Sequence, residues 1–298
     1  MKVKHYQKTN KVSETSHTLD FLSSFDEAMS VAEDYGEMLV VYGPEGVGKS
    51  SWSAYAPGPV CFVCGKREHG IHTLKRAKLV PQSVKIGRDV QDWNDLLRCV
   101  DELIEGDHDF RTVVFDSLTV MEHLCFTDFC NEHFNGDWSQ SGFMSFMSGP
   151  RSAAESYWPQ LLDKCLSLRS RGVNVIYTAH SLVKAVRNPE GADYDRFVVS
   201  LTDPIWKKTA AVCDAVLFMK HFTEVSKIDQ EGKRMARAKA LGGDQRVIMT
   251  EYDAAYDAKN RYGLPTCIGP AASAEELAGK FWKLVSDSYK RVVGKGTK

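Results

Sequence analysis

A glycine-rich loop set between an apolar run and a helix-forming run constrains this chain more than any other feature. Met38 to Tyr42 is apolar and ends in Gly43, and Gly43-Pro44-Glu45-Gly46-Val47-Gly48-Lys49-Ser50 fits the pattern G-x-x-x-x-G-K-[ST] at every fixed position. Glycines let successive backbone N–H groups curl around phosphate without Cβ obstruction. A helix opening near Gly48 aims the positive end of its dipole at the same anion. Lys49 can then reach the β- and γ-phosphates, and the Ser50 hydroxyl can ligate Mg²⁺. The stretch Gly43–Ser51 is therefore expected to bind a nucleoside triphosphate, with ATP and Mg²⁺ as its ligands.

Such a loop requires a strand–loop–helix unit, and the rest of the chain supplies more of them. Pro59–Cys64, Val84–Ile86, Thr112–Phe115 and Val173–Thr178 read as buried strands. Between them, Val90–Ile104 and Ala153–Arg171 have helical periodicity. The alternation predicts an α/β fold with a mostly parallel central sheet flanked by helices on both faces. Ala215–His221, Arg234–Leu241 and Arg246–Thr250 follow one another over short polar connections, so they predict an antiparallel extension at the C-terminal side. Ser24 with Glu27 and Ser273 with Glu276 are capping boxes that open a first helix and a last one.

The formal net charge of −1 gives no global attraction to nucleic acid, so any such binding needs a local basic patch. No run approaches the length of a membrane span, and the basic N-terminus lacks the apolar core of a signal peptide. Eight cysteines are scattered, several in apolar segments, as expected of buried thiols in a reducing, cytoplasmic compartment. Cys61 and Cys64 form a C-x-x-C without a second half, and His123, Cys125, Cys130 and His133 form a looser group; packing is the expected role of both sets.

A phosphate loop needs an acidic partner for Mg²⁺ and a group that orients the attacking water. Arg111-Thr-Val-Val-Phe-Asp116 is an apolar strand ending in a carboxylate, the Walker B arrangement, which makes Asp116 the expected partner of Ser50 at the metal. Glu68, Glu122 and Glu45 compete for the role of water-activating base. Thr178-Ala-His180 ends another strand in polar groups, and His180 can serve as a γ-phosphate sensor or as a structural histidine.

The order of these segments resembles that of RecA-like ATPases, above all the compact phage-type members proposed to anneal or pair single-stranded DNA. The matching elements are Gly43–Ser50, Glu68-His69-Gly70, Val113–Thr119, Thr178–His180, Asp214–Leu217 and Ala258–Pro265. Lys259-Asn260-Arg261-Tyr262-Gly263 is also similar to the Lys-Asn-Arg-Phe-Gly signature of the bacterial RadA repair ATPase, with tyrosine for phenylalanine. The resemblance implies a RecA-like P-loop NTPase core over 37–270, an N-terminal arm and helix over 1–36, and a C-terminal helix with a basic tail over 271–298. It also implies ATP hydrolysis with Glu68 as catalytic base and His180 as sensor. Lys259 and Arg261 would reach a nucleotide held by the neighbouring subunit of a homo-oligomeric ring or filament. The chain departs from the pattern at Cys64-Gly-Lys-Arg67, where relatives have a more acidic strand end, and it shows no zinc-finger or protease-like domain of the RadA type.

RecA-like proteins hold single strands with two loops that follow the Walker B and sensor strands. Here residues 133–151 mix Gly, Ser and Pro with Phe134, Trp138, Phe143 and Phe146, side chains suited to stacking on unpaired bases or to packing in a small subdomain. Residues 184–208 carry Lys184, Arg187, Tyr194, Arg196, Phe197, Lys207 and Lys208, a set able to track a phosphate backbone. Glu190, Asp193 and Asp195 oppose that use. The expected activity is a DNA-stimulated ATPase acting on single-stranded DNA in recombination, annealing or repair, in the host cytoplasm if the chain is phage-encoded. A phosphotransferase acting on a small molecule and a non-hydrolysing nucleotide switch that recruits proteins are the alternatives.

Overall fold

The structure, a computed structural model, describes residues 35–65, 69–189, 191–227 and 238–293, without the side chains of 224–227, 238–242 and 291–293. The expected N-terminal arm, the Ser24–Glu27 capping box, Glu68, Glu190 and the basic tail from 294 lie outside these residues. From Gly36 onward the described residues form one compact unit.

In chain order its elements are β1 (Met38–Gly43), α1 (Lys49–Ser53), β2 (Pro59–Val63), α2 (Gly70–Arg76), β3 (Lys85–Ile86), α3 (Trp93–Glu105), β4 (Thr112–Asp116), α4 (Leu118–Phe134), α5 (Ser148–Ser156), α6 (Trp158–Ser170), β5 (Asn174–Val186), β6 (Tyr194–Val199), α7 (Asp203–Val212), β7 (Ala215–Lys227), β8 (Ala238–Met249), β9 (Lys259–Asn260), β10 (Cys267–Ala271) and α8 (Ala274–Val293). The strands run β10-β8-β7-β1-β5-β4-β2-β3 across one sheet, with β6 on β5 and β9 on β7. β1 pairs in parallel with both β5 and β7, and β4 pairs in parallel with β5 and β2. β8 and β10 extend the sheet antiparallel beyond β7. This is the α/β, mostly parallel architecture with an antiparallel C-terminal extension that the alternation of elements predicts.

Strand alternation sorts β1 between two cores. Met38, Val40 and Tyr42 join the cluster with Trp93, Leu96, Trp158 and Leu161 from α3 and α6. Leu39 and Val41 face the opposite cluster, with Trp52 of α1 and Leu277, Phe281 and Val285 of α8. Trp93 stacks on Trp158 with ring centroids 5.6 Å apart, and Trp52 meets Phe281 edge-on at 5.2 Å. The same alternation separates Cys64 from Cys61, which lie in opposite clusters, so the two thiols cannot share an ion. Cys125 and Cys130 are buried in the first cluster.

At Ser273–Glu276 the first half of the expected capping box forms, with Glu276 N donating to Ser273 Oγ at 3.0 Å, while the Glu276 carboxylate accepts from Ala272 N at 3.1 Å, one residue before the cap. Three local expectations differ. The helix predicted over Ala153–Arg171 is broken into α5 and α6 around Tyr157, with Pro159 in the first turn of α6, where a residue without N–H is tolerated. β5 continues past Thr178 to Val186 and turns back through β6, and α7 follows, so residues 184–208 form a hairpin and a helix rather than a loop. The separate strands expected over 234–241 and 246–250 are, in their described part, the single strand β8. No helix among the described residues is long and apolar enough to cross a membrane.

Candidate active site

The C-terminal ends of β1 and β4 meet the Thr178–His180 stretch in the middle of β5. Gly43 pairs with His180, and Val41 pairs with Thr178. Phe115 pairs with Tyr177, which places Asp116 beside Thr178. Gly43 is required by packing: a Cβ there would stand 2.1 Å from the Met219 carbonyl oxygen of β7. Past it the loop turns, and Gly48 takes φ +98° as the residue before α1, a conformation that glycine adopts at little cost.

Lys49 follows, only 7% exposed. Its ammonium donates to the carbonyls of Gly43 at 2.9 Å and Pro44 at 2.8 Å, so a fixed positive charge stands at the mouth of the cradle. Asp116 is equally enclosed, and its Oδ1 accepts the Thr178 hydroxyl proton. Cys64 N donates to Asp116 O at 3.0 Å, and the Asp116–Ser117 peptide is cis. A cavity of about 620 Å³ is lined by Glu45, Gly46, Gly48, Lys49, Ser50, Ser51, Asp116 and His180 together with Gly70, Thr73 and Leu74 of α2. Eight residues expected at the site from three separate segments thus share one cavity. Val47 is instead turned into the core beside Val41 and Leu217, while Gly43 and Pro44 contribute the carbonyls that hold Lys49.

Several site features carry no signal in the sequence. Arg246 of β8 donates from Nε to the Val47 carbonyl at 2.8 Å, across 199 residues of chain, and stands against Gly48. Thr73 and Leu74 of the lining likewise have none, whereas Gly70, which lines the cavity, and Thr178, which holds Asp116, belong to segments already singled out in the sequence. Of the competing carboxylates, Glu45 lines the cavity, whereas Glu122 lies elsewhere, accepting from both Thr202 N (2.8 Å) and Thr202 Oγ1 (2.7 Å). Burial raises the Glu122 carboxyl above its usual range, against the two Thr202 hydrogen bonds.

Lys259 and Arg261 are not brought to this cavity. β9 pairs with Ala215 and Val216, and Ala215 pairs with Leu39 near the start of β1, so both cations lie toward the opposite edge of the sheet from Gly43. The Lys259 ammonium donates to the carbonyls of Ala210 (2.7 Å), Ala211 (3.4 Å) and Cys213 (2.7 Å) at the end of α7, where a cation complements the helix dipole. Burial and the neighbouring Arg261 charge lower its pKa. Arg261 pairs with Asp214 at 3.4 Å, and its side chain is 51% exposed. Tyr262 donates to buried Glu37 at 2.6 Å, and Asn260 Oδ1 accepts from Tyr262 N and Leu264 N. The Lys-Asn-Arg-Tyr-Gly segment is therefore a structural clasp within its own chain.

The two stretches expected to hold a single strand converge on a second cavity, of about 890 Å³. Met147, Pro150, Arg151 and Glu155 form one wall, and Leu201–Pro204, Lys207 and Lys208 the other. The aromatic residues divide. Phe143 is fully buried among Phe126, Phe129, Phe134 and Trp138, which is a packing role. Phe146 is 93% exposed and takes φ +46° beside Met147 at φ +59°. Arg196 pairs with Asp257 at 2.6 Å and Phe197 stacks toward Phe218 at 5.2 Å, so both support the hairpin.

A family model described as an AAA domain matches residues 36–262. Among solved structures, the chain is similar to the flagellar accessory protein FlaH from Methanocaldococcus jannaschii, with 10% identity, a TM-score of 0.34, and coverage of 84% of this chain and 94% of that one. No curated protein matches the chain.

Proposed function

The chain belongs to this AAA domain family of P-loop ATPases, and from that premise we propose that it hydrolyses ATP in the Gly43–Ser51 cavity and couples hydrolysis to single-stranded DNA. The observation that carries the first half is the single cavity shared by Lys49, Ser50, Asp116 and His180. Lys49 supplies positive charge to the β- and γ-phosphates, and the loop amides bind the same oxygens. A hydroxyl (Ser50) and a buried carboxylate (Asp116) lining the cavity are hard oxygen donors that fit Mg²⁺. When bound, the ion neutralises charge on the phosphate oxygens. His180 senses the γ-phosphate. Glu68 is the assigned base; it lies outside the described residues, but Gly70, two positions on, lines the cavity.

DNA is assigned to the second cavity, where Arg151, Lys207 and Lys208 offer phosphate contacts, and exposed Phe146, the residue before lining Met147, offers a stacking face. Arg261, half-exposed at the far sheet edge, is the candidate cation for a neighbour's nucleotide in a homo-oligomer, whereas Lys259 is committed to α7. The setting is a reducing cytoplasm, in keeping with seven buried free thiols.

The test is ATP turnover with and without single-stranded DNA, for wild type and Lys49→Ala. Stimulated turnover that falls about 100-fold or more in the variant is expected. Hydrolysis indifferent to DNA removes the DNA assignment, phosphoryl transfer to an added nucleoside makes the chain a kinase, and tight ATP binding without turnover makes it a switch.

A further inference from the structure

Beyond the nucleotide cavity, three metal-ligating side chains come together from two parts of the chain. One ligand atom from each of His69, His72 and Asp89 lies within 4.8 Å of the other two. His69 precedes the first residue of α2 and His72 follows three positions later, a spacing that sets both imidazoles on one side of the helix. Their ring centroids are 5.9 Å apart. Asp89 comes from the segment after β3, with Oδ1 3.9 Å from His72 Nε2.

Both parts have firm backbone attachments. Gly87 N donates to Cys61 O at 2.9 Å and Val90 N to Val63 O at 3.1 Å, so hydrogen bonds to β2 hold the residues on either side of Asp89. His69 O accepts from Thr73 N at 3.2 Å, which ties its backbone to the first turn of α2. A tetrahedral site with bonds of about 2.0–2.2 Å places its donors about 3.4 Å apart. Closing to that spacing needs roughly 1 Å of movement. The side chains of His72 and Asp89 are 44% and 39% exposed, so rotation between their rotamers meets no close core packing.

We propose that His69, His72 and Asp89 form a site for a divalent transition metal, Zn²⁺ first, with a fourth position left to water. Two imidazole nitrogens and one carboxylate suit a borderline ion and disfavour Mg²⁺ or Ca²⁺, which take oxygen ligands. The ion would tie the start of α2 to the sheet through Asp89. Gly70, Thr73 and Leu74 of the same helix line the nucleotide cavity, so the site would stiffen one wall of it. The inference rests on the fold alone and does not need the assigned ATPase activity.

The probe is Co²⁺, followed by its visible ligand-field absorption, titrated into untagged, nucleotide-free full-length protein, with Zn²⁺ as competitor. One site per chain is expected, with Zn²⁺ displacing Co²⁺ and raising the unfolding temperature. His72→Ala and Asp89→Asn should each weaken binding by at least about tenfold, while their metal-free unfolding temperatures stay at the wild-type value. Lys49→Ala should bind metal like wild type. Folded wild type that takes up no Co²⁺, variants that bind it at full strength, or uptake abolished by Cys267→Ser would each overturn the assignment.

Discussion

Thr178 donates its hydroxyl proton to Asp116 Oδ1 across the seam between β5 and β4, fixing one oxygen of a nearly buried carboxylate. Thr178→Val keeps the shape and removes the donor. A hydrogen bond to a charged group contributes about 1.5–3 kcal/mol, so the unfolding free energy should fall by about that much. The Mg²⁺ concentration for half-maximal ATP turnover should rise about tenfold, as expected for a mis-set ligand. Denaturant titration and Mg²⁺-dependent kinetics check the two halves, and unaltered Mg²⁺ dependence would separate Asp116 from the metal.

Arg246 anchors the cradle from behind through the Val47 carbonyl. Arg246→Ala should leave the core intact while freeing the loop, and nucleotide affinity should drop by about 1.5–3 kcal/mol, or roughly tenfold to a hundredfold. Calorimetric titration with a non-hydrolysable ATP analogue measures it. Affinity equal to wild type would show that the loop holds its shape without this contact.

Phe143 and Phe146 should behave oppositely. Phe143→Ala empties a fully buried ring position and should lower stability by about 3–5 kcal/mol. Phe146→Ala, at an exposed position, should change stability by less than about 0.5 kcal/mol yet weaken single-strand binding by about 1–3 kcal/mol. Fluorescence anisotropy with a labelled oligonucleotide decides; undiminished affinity would take Phe146 out of the DNA site.

The two cations of the clasp should also separate. Lys259→Ala leaves carbonyls at the end of α7 without their donor and should cost about 1–3 kcal/mol of stability. Arg261→Ala should unfold nearly as wild type but lose turnover most at protein concentrations where the oligomer forms. If its turnover matches wild type across the concentration range, Arg261 has no role across an interface.

Glu37, buried and hydrogen-bonded by Tyr262 and Tyr289 at 2.6 Å each, has a pKa raised above 4.5 chiefly by desolvation. The folded state therefore binds its proton more tightly than the unfolded state. That contribution is complete below the unfolded pKa and is lost as pH rises through the folded one. Glu37→Gln should remove this component, so the stability of wild type relative to the variant should decline from pH 4.5 upward. Urea unfolding of both proteins across that range gives the sign. A constant difference would mean that Glu37 titrates alike in both states.

The parts of the site legible in the sequence are those whose neighbours in space are neighbours in the chain. Gly43–Ser50 carries its own turn chemistry, and Asp116 ends an apolar strand, so parallel pairing alone brings it to the same edge. Arg246 was invisible because its partner Val47 is 199 positions away and a single arginine in a strand has no pattern. Residues 184–208 read as a basic, aromatic loop because the strands that open the stretch pair with each other outside the main sheet. Tyr194–Val199 alternates half-buried with exposed positions, and its charged residues mask the strand period. The Lys-Asn-Arg-Tyr-Gly segment was recognisable as a motif, but its work in joining Glu37, α7 and Asp214 depends on contacts that only the folded chain brings together.

β5 belongs to two environments along its length. Residues 174–180 lie between β1 and β4, and residues 181–186 stand beyond them, paired only with β6. Ser200, at the foot of the returning arm, donates to the His180 carbonyl at 2.8 Å. The arm is held again at its middle, where Phe197 N donates to Ala255 O at 2.8 Å and Arg196 pairs with Asp257 at 2.6 Å, so the turn joining the two strands lies beyond a second anchor and not merely beyond the root.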